Sequence, residues 1–180
     1  MLYNKLMENT ESFKIRLMEK EDAAPVFDLY KKVWSETYVS EENNIFKKDI
    51  KDFYLNKSPT MADSDIVSDE NILKLVVTYK DKIIATSNTF RLKNSPKTLY
   101  LKTLYIDPDF QRKGIGHDII EFIKNYFKNF EIIFLDTATY NIGGINFYLK
   151  NNFKIDENWS GTFPLVNDKN IPLVRLVYRL

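Results

Sequence analysis

The chain has 180 residues and a mass of 21.3 kDa, the size of one domain of ~150 residues with at most a small appendage. Its 26 basic and 25 acidic residues leave a net charge of +1, which lacks the basic excess that nucleic-acid or anionic-membrane partners normally require. With no cysteine and one histidine, His117, it is excluded from disulfide frameworks, thiolate or multi-histidine metal sites and cysteine nucleophiles.

Residues 12–18 (SFKIRLM) alternate apolar and polar at Phe13, Ile15 and Leu17, as a half-buried strand does. Ala23, Val26, Phe27, Tyr30, Val33 and Trp34 recur at three and four and predict a helix, with Pro25 in its first turn. A second helix is predicted over 42–55, with Ile45, Phe46, Ile50, Phe53 and Tyr54 on its apolar side. Residues 56–71 read as a loop; it holds Asp63, Asp65, Asp69 and Glu70, and 58–73 contains no basic residue. Strands over 72–79 and 83–92 flank Lys80-Asp81-Lys82 as a hairpin, although Asp-Lys is not a favoured turn pair. A strand over 98–106 (TLYLKTLYI) ends at Asp107-Pro108. Residues 114–128 form the strongest predicted helix, with Ile119, Ile120, Ile123, Tyr126 and Phe127 on one face. Then come a strand over 131–137, a short helix over 142–151, and strands over 153–159 and 171–179. The order is β-α-α-β-β-β-α-β-α-β-β, without repeat or linker, so one domain is expected across 1–180. The longest uncharged stretch, 137–149, contains Asn and two Gly and falls short of the ~18 apolar residues of a membrane helix. The first 30 residues carry Lys5, Glu8, Glu11, Lys14 and Arg16 without an apolar signal core. A cytoplasmic protein is the expectation.

Four of only five glycines sit at two strand-to-helix junctions. Gly114 and Gly116 lie in Gln111-Arg112-Lys113-Gly114-Ile115-Gly116, and Gly143 and Gly144 open the next helix. Such placement asks for positive φ or close backbone approach. Free N–H groups at a helix start, aided by the macrodipole, form an anion site; glycines remove the Cβ atoms that would hold a phosphate off, and Arg112 and Lys113 add charge. An ordinary two-glycine turn is the competing reading. No glycine precedes Lys-Ser or Lys-Thr, which excludes the ATP-binding loop. Ile119 stands where the dinucleotide fingerprint needs a small residue.

The 111–116 stretch resembles the Gln/Arg-x-x-Gly-x-Gly/Ala pyrophosphate loop of the GNAT superfamily of N-acetyltransferases. An apolar-x-apolar-Asp-Pro run, Leu104-Tyr105-Ile106-Asp107-Pro108, precedes it as in that family. Residues 141–153 resemble the family's Asn-x-x-Ala-x-x-Phe-Tyr-x-x-x-Gly-Phe signature, with Gly144 replacing Ala and Asn152 replacing Gly. The resemblance is dense over 72–154. It implies an α/β (α+β) fold, a mixed and mostly antiparallel sheet splayed between its fourth and fifth strands, with helices on both faces. The cofactor half is then about 72–154, and the acceptor side about 19–71 and 155–180.

The resemblance further implies acetyl-CoA as acyl donor. Backbone groups of Leu104, Tyr105 and Ile106 would pair with pantetheine as an added strand. The amides of Gln111, Arg112, Lys113, Gly114, Ile115, Gly116 and His117 would hold the pyrophosphate, with His117 as a cation beside it. Asn141 would contact the cofactor, a plain helix cap being the alternative. Tyr148 matches the tyrosine that protonates the departing thiolate, against a reading as core packing. Asp136 lies twelve residues before Tyr148 and is the leading candidate base for the acceptor amine; a strand-end capping role competes. Lys102 departs from the acid many members carry two residues before the leucine of the apolar run.

Trp34, Glu36 and Tyr38 resemble an acceptor-side stretch of small-amine acetyltransferases, and the acidic loop would favour a polyamine-like cation or serve only as a solvated loop. The expected function is acetyl transfer to a primary amine of a small molecule by direct attack in a ternary complex. A protein or peptide N-terminal amine, or a CoA-binding module without turnover, are the alternatives. Neither metal, nucleic acid nor membrane is expected as a partner. Members of the family often form homodimers, which no residue here reveals.

Overall fold

The computed structural model describes residues 13–55, 57 and 68–180. Asp63 and Asp65 of the acidic loop lie outside them. The chain runs β1 (Lys14–Leu17), α1 (Ala23–Thr37), α2 (Lys47–Leu55), β2 (Ile72–Tyr79), β3 (Lys82–Leu92), β4 (Ser95–Ile106), α3 (Ile115–Tyr126), β5 (Ile132–Ala138), α4 (Ile142–Lys150), β6 (Lys154–Pro164) and β7 (Asn170–Arg179). All seven strands join one sheet in the order β1-β2-β3-β4-β5-β7-β6, antiparallel except for β4–β5.

The predicted order of elements holds, and of the boundaries that move three have local reasons. The second helix starts at Lys47 rather than 42, because Ser40 and Ile45 close a bridge around Asn44 at φ 55°. β6 runs on to Pro164 through Ser160 and Gly161, poor strand formers that an edge strand tolerates. The β2–β3 turn is the pair Lys80-Asp81, both at positive φ between the partners Tyr79 and Lys82, which is a type I′ turn built without glycine or asparagine.

Each sheet face carries a core. Leu73, Leu75 and Val77 of β2 meet Ile119, Ile120 and Ile123 of α3 on one side, together with Tyr148 of α4. Val76, on the opposite side, meets Val26, Tyr30 and Val33 of α1 and Ile50 of α2. The period-2 strand and the 3.6-period helix thus bury matching stripes, and each truncation of a buried isoleucine to alanine would cost ~2–5 kcal/mol.

Strand β4 pairs with β5 only at Thr98–Tyr100 against Ile132–Phe134, whereas β5 stays with β7 through Ala138. At the same point Thr103 opposes Asn88 and Leu101 opposes Thr89, so Lys102 is an extra, bulged residue. A bulge bends its strand and increases the local twist. Lys102 therefore marks where β4 turns away from β5 and opens the expected splay.

Candidate active site

Beyond Tyr100, β4 has no ladder partner on its β5 side, which leaves Leu104, Tyr105 and Ile106 along an open edge. Leu104 and Ile106 turn toward the α3–α4 core, and Tyr105 turns toward α1. Asp107 closes the strand. It is 2 % exposed, accepts from Lys32 Nζ at 2.6 Å and Lys82 Nζ at 3.3 Å, and caps the Asp109 amide at 3.2 Å. Burial alone would raise its carboxyl, but the hydrogen bonds from Lys32, Asp109 and Lys82 and the charge of Lys32 hold it below the ordinary value.

The chain then makes a short 3-10 turn, Pro108–Phe110, and enters α3. Arg112 (φ 61°) and Gly114 (φ 85°) both adopt the left-handed conformation, curling successive N–H groups into a concave nest. The first helical bond runs from the Asp118 amide to the Gly114 carbonyl. Among the described residues, the six consecutive amides from Arg112 to His117 have no acceptor. The Gln111 amide is not part of this set, since it donates to Pro108; its side chain instead donates to the Ile106 carbonyl at 3.2 Å. That corrects the expected cradle by one residue. Arg112 and Lys113 stand exposed beside it. His117 Nδ1 lies 2.8 Å from Asn151 Oδ1, and because Asn151 Nδ2 donates to the Phe147 carbonyl, the imidazole is the donor and ties α3 to α4.

The two loop glycines serve different ends. A Cβ at Gly114 would meet nothing within 4 Å, so its requirement is the positive φ. A Cβ at Gly116 would lie 2.7 Å from Phe147 Cζ and 3.3 Å from Ile106 Cδ1. Gly116 lets α3 approach α4, a packing role that the sequence reading did not include.

Tyr148 of α4 is 8 % exposed, with its ring against Phe147 and Phe153. Burial, with a contribution from Tyr38, pushes its phenol well above the ordinary tyrosine range, and among the described residues its hydroxyl has no hydrogen-bond partner. Asn141 caps α4, accepting from the Gly144 amide at 3.1 Å and donating to Thr137 Oγ1 at 3.0 Å. A Cβ at Gly144 would press into this carboxamide, which is why glycine stands where the family pattern has alanine. Asn152, at the other departure from the pattern, has φ 65° and closes α4 in the left-handed conformation that asparagine tolerates.

Asp136 does not stand ready as a base. Both its oxygens accept from Arg175, at 2.8 Å from Nε and 2.9 Å from Nη2, and Arg175 is itself stacked between Phe134 and Trp159. The pair joins cross-strand partners of β5 and β7. On the acceptor side, Trp34 is buried against Tyr38, Phe53, Tyr54 and Phe163, while Glu36 is exposed. Tyr38 packs its ring on Trp34 at 4.7 Å between centroids, and burial raises its phenol above the ordinary tyrosine value. Of the acidic loop, Asp69 caps the Asn71 and Ile72 amides near Tyr126, at the far end of α3, and Glu70 borders a surface cavity with Arg91 and Lys128. Neither supplies negative charge at the splay.

Residues 25–153 match the model of the Acetyltransferase (GNAT) family. The chain belongs to that family. It is an acyltransferase whose acyl donor is acetyl-CoA. No curated sequence relative matches it. Solved structures with similar folds include the PaiA N-acetyltransferase of Thermoplasma acidophilum in complex with coenzyme A (21 % identity, 94 % of this chain and 99 % of that one, TM-score 0.66). Others are the ribosomal-protein-S18-alanine N-acetyltransferase of Escherichia coli (16 %, 93 % of each chain, 0.63) and a GCN5-related N-acetyltransferase of Rhodopseudomonas palustris (14 %, 98 % and 100 %, 0.70).

Within this GNAT domain, sequence reasoning missed Thr137, Tyr140 and the Asp107 clamp. Tyr140 donates to the Tyr38 carbonyl at 3.0 Å, across 102 positions of sequence. In a chain with 11 tyrosines, nothing local distinguishes those at the splay. Asp107 did carry a signal, the Asp-Pro pair, but its lysine partners come from distant elements.

Proposed function

We propose that this GNAT enzyme transfers the acetyl group of acetyl-CoA to the primary amine of a small molecule, by direct attack within a ternary complex. The observation that carries the reading is the row of six acceptor-less amides, Arg112 to His117, at the end of an unpaired strand edge. Six consecutive N–H groups at a helix start, free of protein acceptors, offer an anion several donors from one concave surface, and a diphosphate has the oxygens to meet them. The nest fits that group, and the open edge of Leu104, Tyr105 and Ile106 fits an extended chain bearing amides. When bound, acetyl-CoA supplies an activated thioester: the amine nitrogen displaces sulfur, and the thiol leaves with one proton. Residues 72–154 form the half that holds it, and 19–71 with 155–180 the acceptor half of a single domain.

Tyr148 is proposed as the group that hands the departing sulfur its proton. Its phenol is protonated at neutral pH, as any tyrosine with a pKa of about 10 or more is, and among the described residues its hydroxyl has no hydrogen-bond partner. Asp136, held by Arg175, is assigned to the fold; the acceptor ammonium then loses its proton to water at the cleft mouth. A pKa near 10.4 makes that loss cost ~4–5 kcal/mol at pH 7, so turnover should climb with pH through the alkaline range.

A small acceptor is favoured over a peptide because the acceptor side is bridged. Asp49 of α2 accepts from Lys169 of the β6–β7 turn at 2.7 Å, and Phe163 packs on both Trp34 and Phe53. A strap of that kind narrows the approach that an extended chain would need. The test is free-thiol release with polyamines, amino acids, aminoglycosides and N-terminal peptides, alongside melting with CoA. CoA should raise Tm, and small amines alone should release thiol. Release with peptides alone would reverse the acceptor assignment; binding without release for every amine would leave a CoA-binding module.

A further inference from the structure

The sheet face on the α1 side of the splay carries rings and charges that the transfer chemistry above leaves unused. Tyr100, the last β4 residue to pair with β5, stacks on Phe134 with ring centroids 4.9 Å apart and planes 15° apart. Arg175 Cζ lies 4.3 Å from the Phe134 centroid and 4.0 Å from that of Trp159. On the β3 side, Lys102 Nζ stands 5.7 Å from the ring of Phe90, the cross-strand partner of Tyr100. Tyr100 alternates with Leu99 and Leu101, and Phe134 with Ile133 and Leu135, all members of the α3 core, so the strip faces the other way. Its four rings are half-buried and belong to neither core. An open aromatic strip thus crosses the foot of the splay from β3 to β6.

Asp136 and Arg175 neutralise each other, and Asp156, whose charge also reaches Arg175, accepts from the Asn158 amide at 3.2 Å. Lys102 is different: it is exposed and forms no ion pair among the described residues. Its bulge places it where β4 leaves β5, so an unmatched positive charge stands at the head of the open edge. Beside it, two oxygens lack partners. Thr103 Oγ1 and Asn88 Oδ1 come from cross-strand partners, and each is buried without a hydrogen bond. Asn88 is 2 % exposed, and its Nδ2 donates to Tyr30 Oη at 3.4 Å, so the oxygen is the open end of the carboxamide. Leaving a buried acceptor unmet is costly, and a carboxamide oxygen is met only by an N–H or O–H. Asn88 and Phe90 share a face of β3 two residues apart, which sets this oxygen and the lysine nitrogen ~7 Å apart along the strand.

We propose, resting on the acetyl-transfer reading above, that the acceptor is amino-acid-like, a small molecule with a carboxylate next to its primary amine. Lys102 pairs with the carboxylate, and Thr103 Oγ1 and Asn88 Oδ1 receive the N–H groups of the amine. An α-amino acid sets its nitrogen and carboxylate oxygen roughly 3 Å apart, and a hydrogen bond of ~2.8–2.9 Å at either end, bent at the ligand, spans the ~7 Å available. Thr103 precedes Leu104, the first residue of the edge assigned to pantetheine, so an amine held there lies beside the thioester, on the face opposite Tyr148. The ring faces of Tyr100 and Phe134 give an apolar side chain its floor. A polyamine has no anion for Lys102 and brings further cations beside it.

The experiment is free-thiol release with two matched sets of acceptors: leucine, leucinamide and isoamylamine, and phenylalanine, phenylalaninamide and phenethylamine. Wild type, Lys102→Gln, Lys102→Glu and Thr103→Val are compared, with kcat/KM expressed per neutral amine. Wild type should favour each acid over its amide roughly 10–100-fold, the scale of one hydrogen bond to a charged group. Lys102→Gln should bring that ratio toward one through KM, with kcat and the rise of Tm on adding CoA retained. Lys102→Glu should invert the order, so that amide and amine outrun the acid. Thr103→Val should raise KM roughly fivefold for acid, amide and amine alike and leave the acid-to-amide ratio in place. A wild-type ratio near one, or a ratio the same in Lys102→Glu as in wild type, overturns the carboxylate assignment; so does release with polyamines and with neither acid. An unchanged KM in Thr103→Val overturns the amine assignment and makes the two oxygens the seat of a trapped water. If wild type releases no thiol with any amine while CoA still raises Tm, the acetyl-transfer reading itself fails and this proposal with it.

Discussion

Replacing Gly116 by alanine separates two explanations of the loop. The new Cβ would lie 2.7 and 2.9 Å from Phe147 Cζ and Cε2, where ordinary contact begins near 3.4 Å. The ring must retreat by ~0.5–0.7 Å, and it is hemmed in by Tyr148 at 5.0 Å between centroids. Overpacking of this kind costs ~1–3 kcal/mol, and alanine's better helix propensity returns up to ~1 kcal/mol. The net loss of ~1–2 kcal/mol corresponds to ~2–8 °C in Tm for a chain of this length. The Gly116 amide stays where it is, so affinity for CoA should remain within about threefold, or ~0.7 kcal/mol. Gly116→Ala combined with Phe147→Leu should be less destabilised than the two single losses added together, with a coupling of ~1 kcal/mol in a double-mutant cycle. Melting curves and calorimetric titration with CoA read both quantities. An unchanged Tm with a tenfold weaker CoA would show that the glycine clears space for the ligand, and the packing argument would be wrong.

Gly114→Ala differs in kind: with open space but φ 85°, it should cost ~1–2 kcal/mol from backbone strain alone, measured by chemical denaturation, and no partner substitution should rescue it. Tyr148→Phe should lower kcat at least roughly tenfold while leaving acetyl-CoA affinity in place; an unchanged kcat removes Tyr148 from the chemistry. Because the folded pKa of Asp107 is depressed, its stabilisation is present above the unfolded value near 3.9 and is lost as pH falls through the lower folded value. Asp107→Asn should therefore lose ~1–3 kcal/mol at neutral pH and show a shallower acid limb in melts run from about pH 7 down to about pH 2. Asn152→Gly should raise stability by ~0.4–1 kcal/mol, since glycine meets φ 65° without strain; a lower Tm would mean the asparagine side chain contributes more than its tolerance of that conformation.

What was legible along the chain was what repeats or clusters within it. The alternation of Leu73, Leu75 and Val77, the 3.6-period of Ile119, Ile120 and Ile123, and the glycines before α3 each carry their meaning within one turn or one strand. That was enough for the order of elements, the sheet-and-helix architecture and the place of the anion nest. The lone pair Lys80-Asp81 was misread because a type I′ turn is normally announced by Asn or Gly, and here neither residue is one.

Other features depended on partners far away in sequence. Asp136 looks like a free carboxylate until β7 brings Arg175 alongside it, and Gly116 looks like room for a phosphate until α4 lays Phe147 over it. Tyr38 reads as one aromatic among many until Tyr140, 102 positions away, donates to its carbonyl. Periodicity is a property of the chain and survives in its letters. A salt bridge or a shared proton is a property of three-dimensional distance, set only when the bulge at Lys102 parts the strands and the helices pack across the gap.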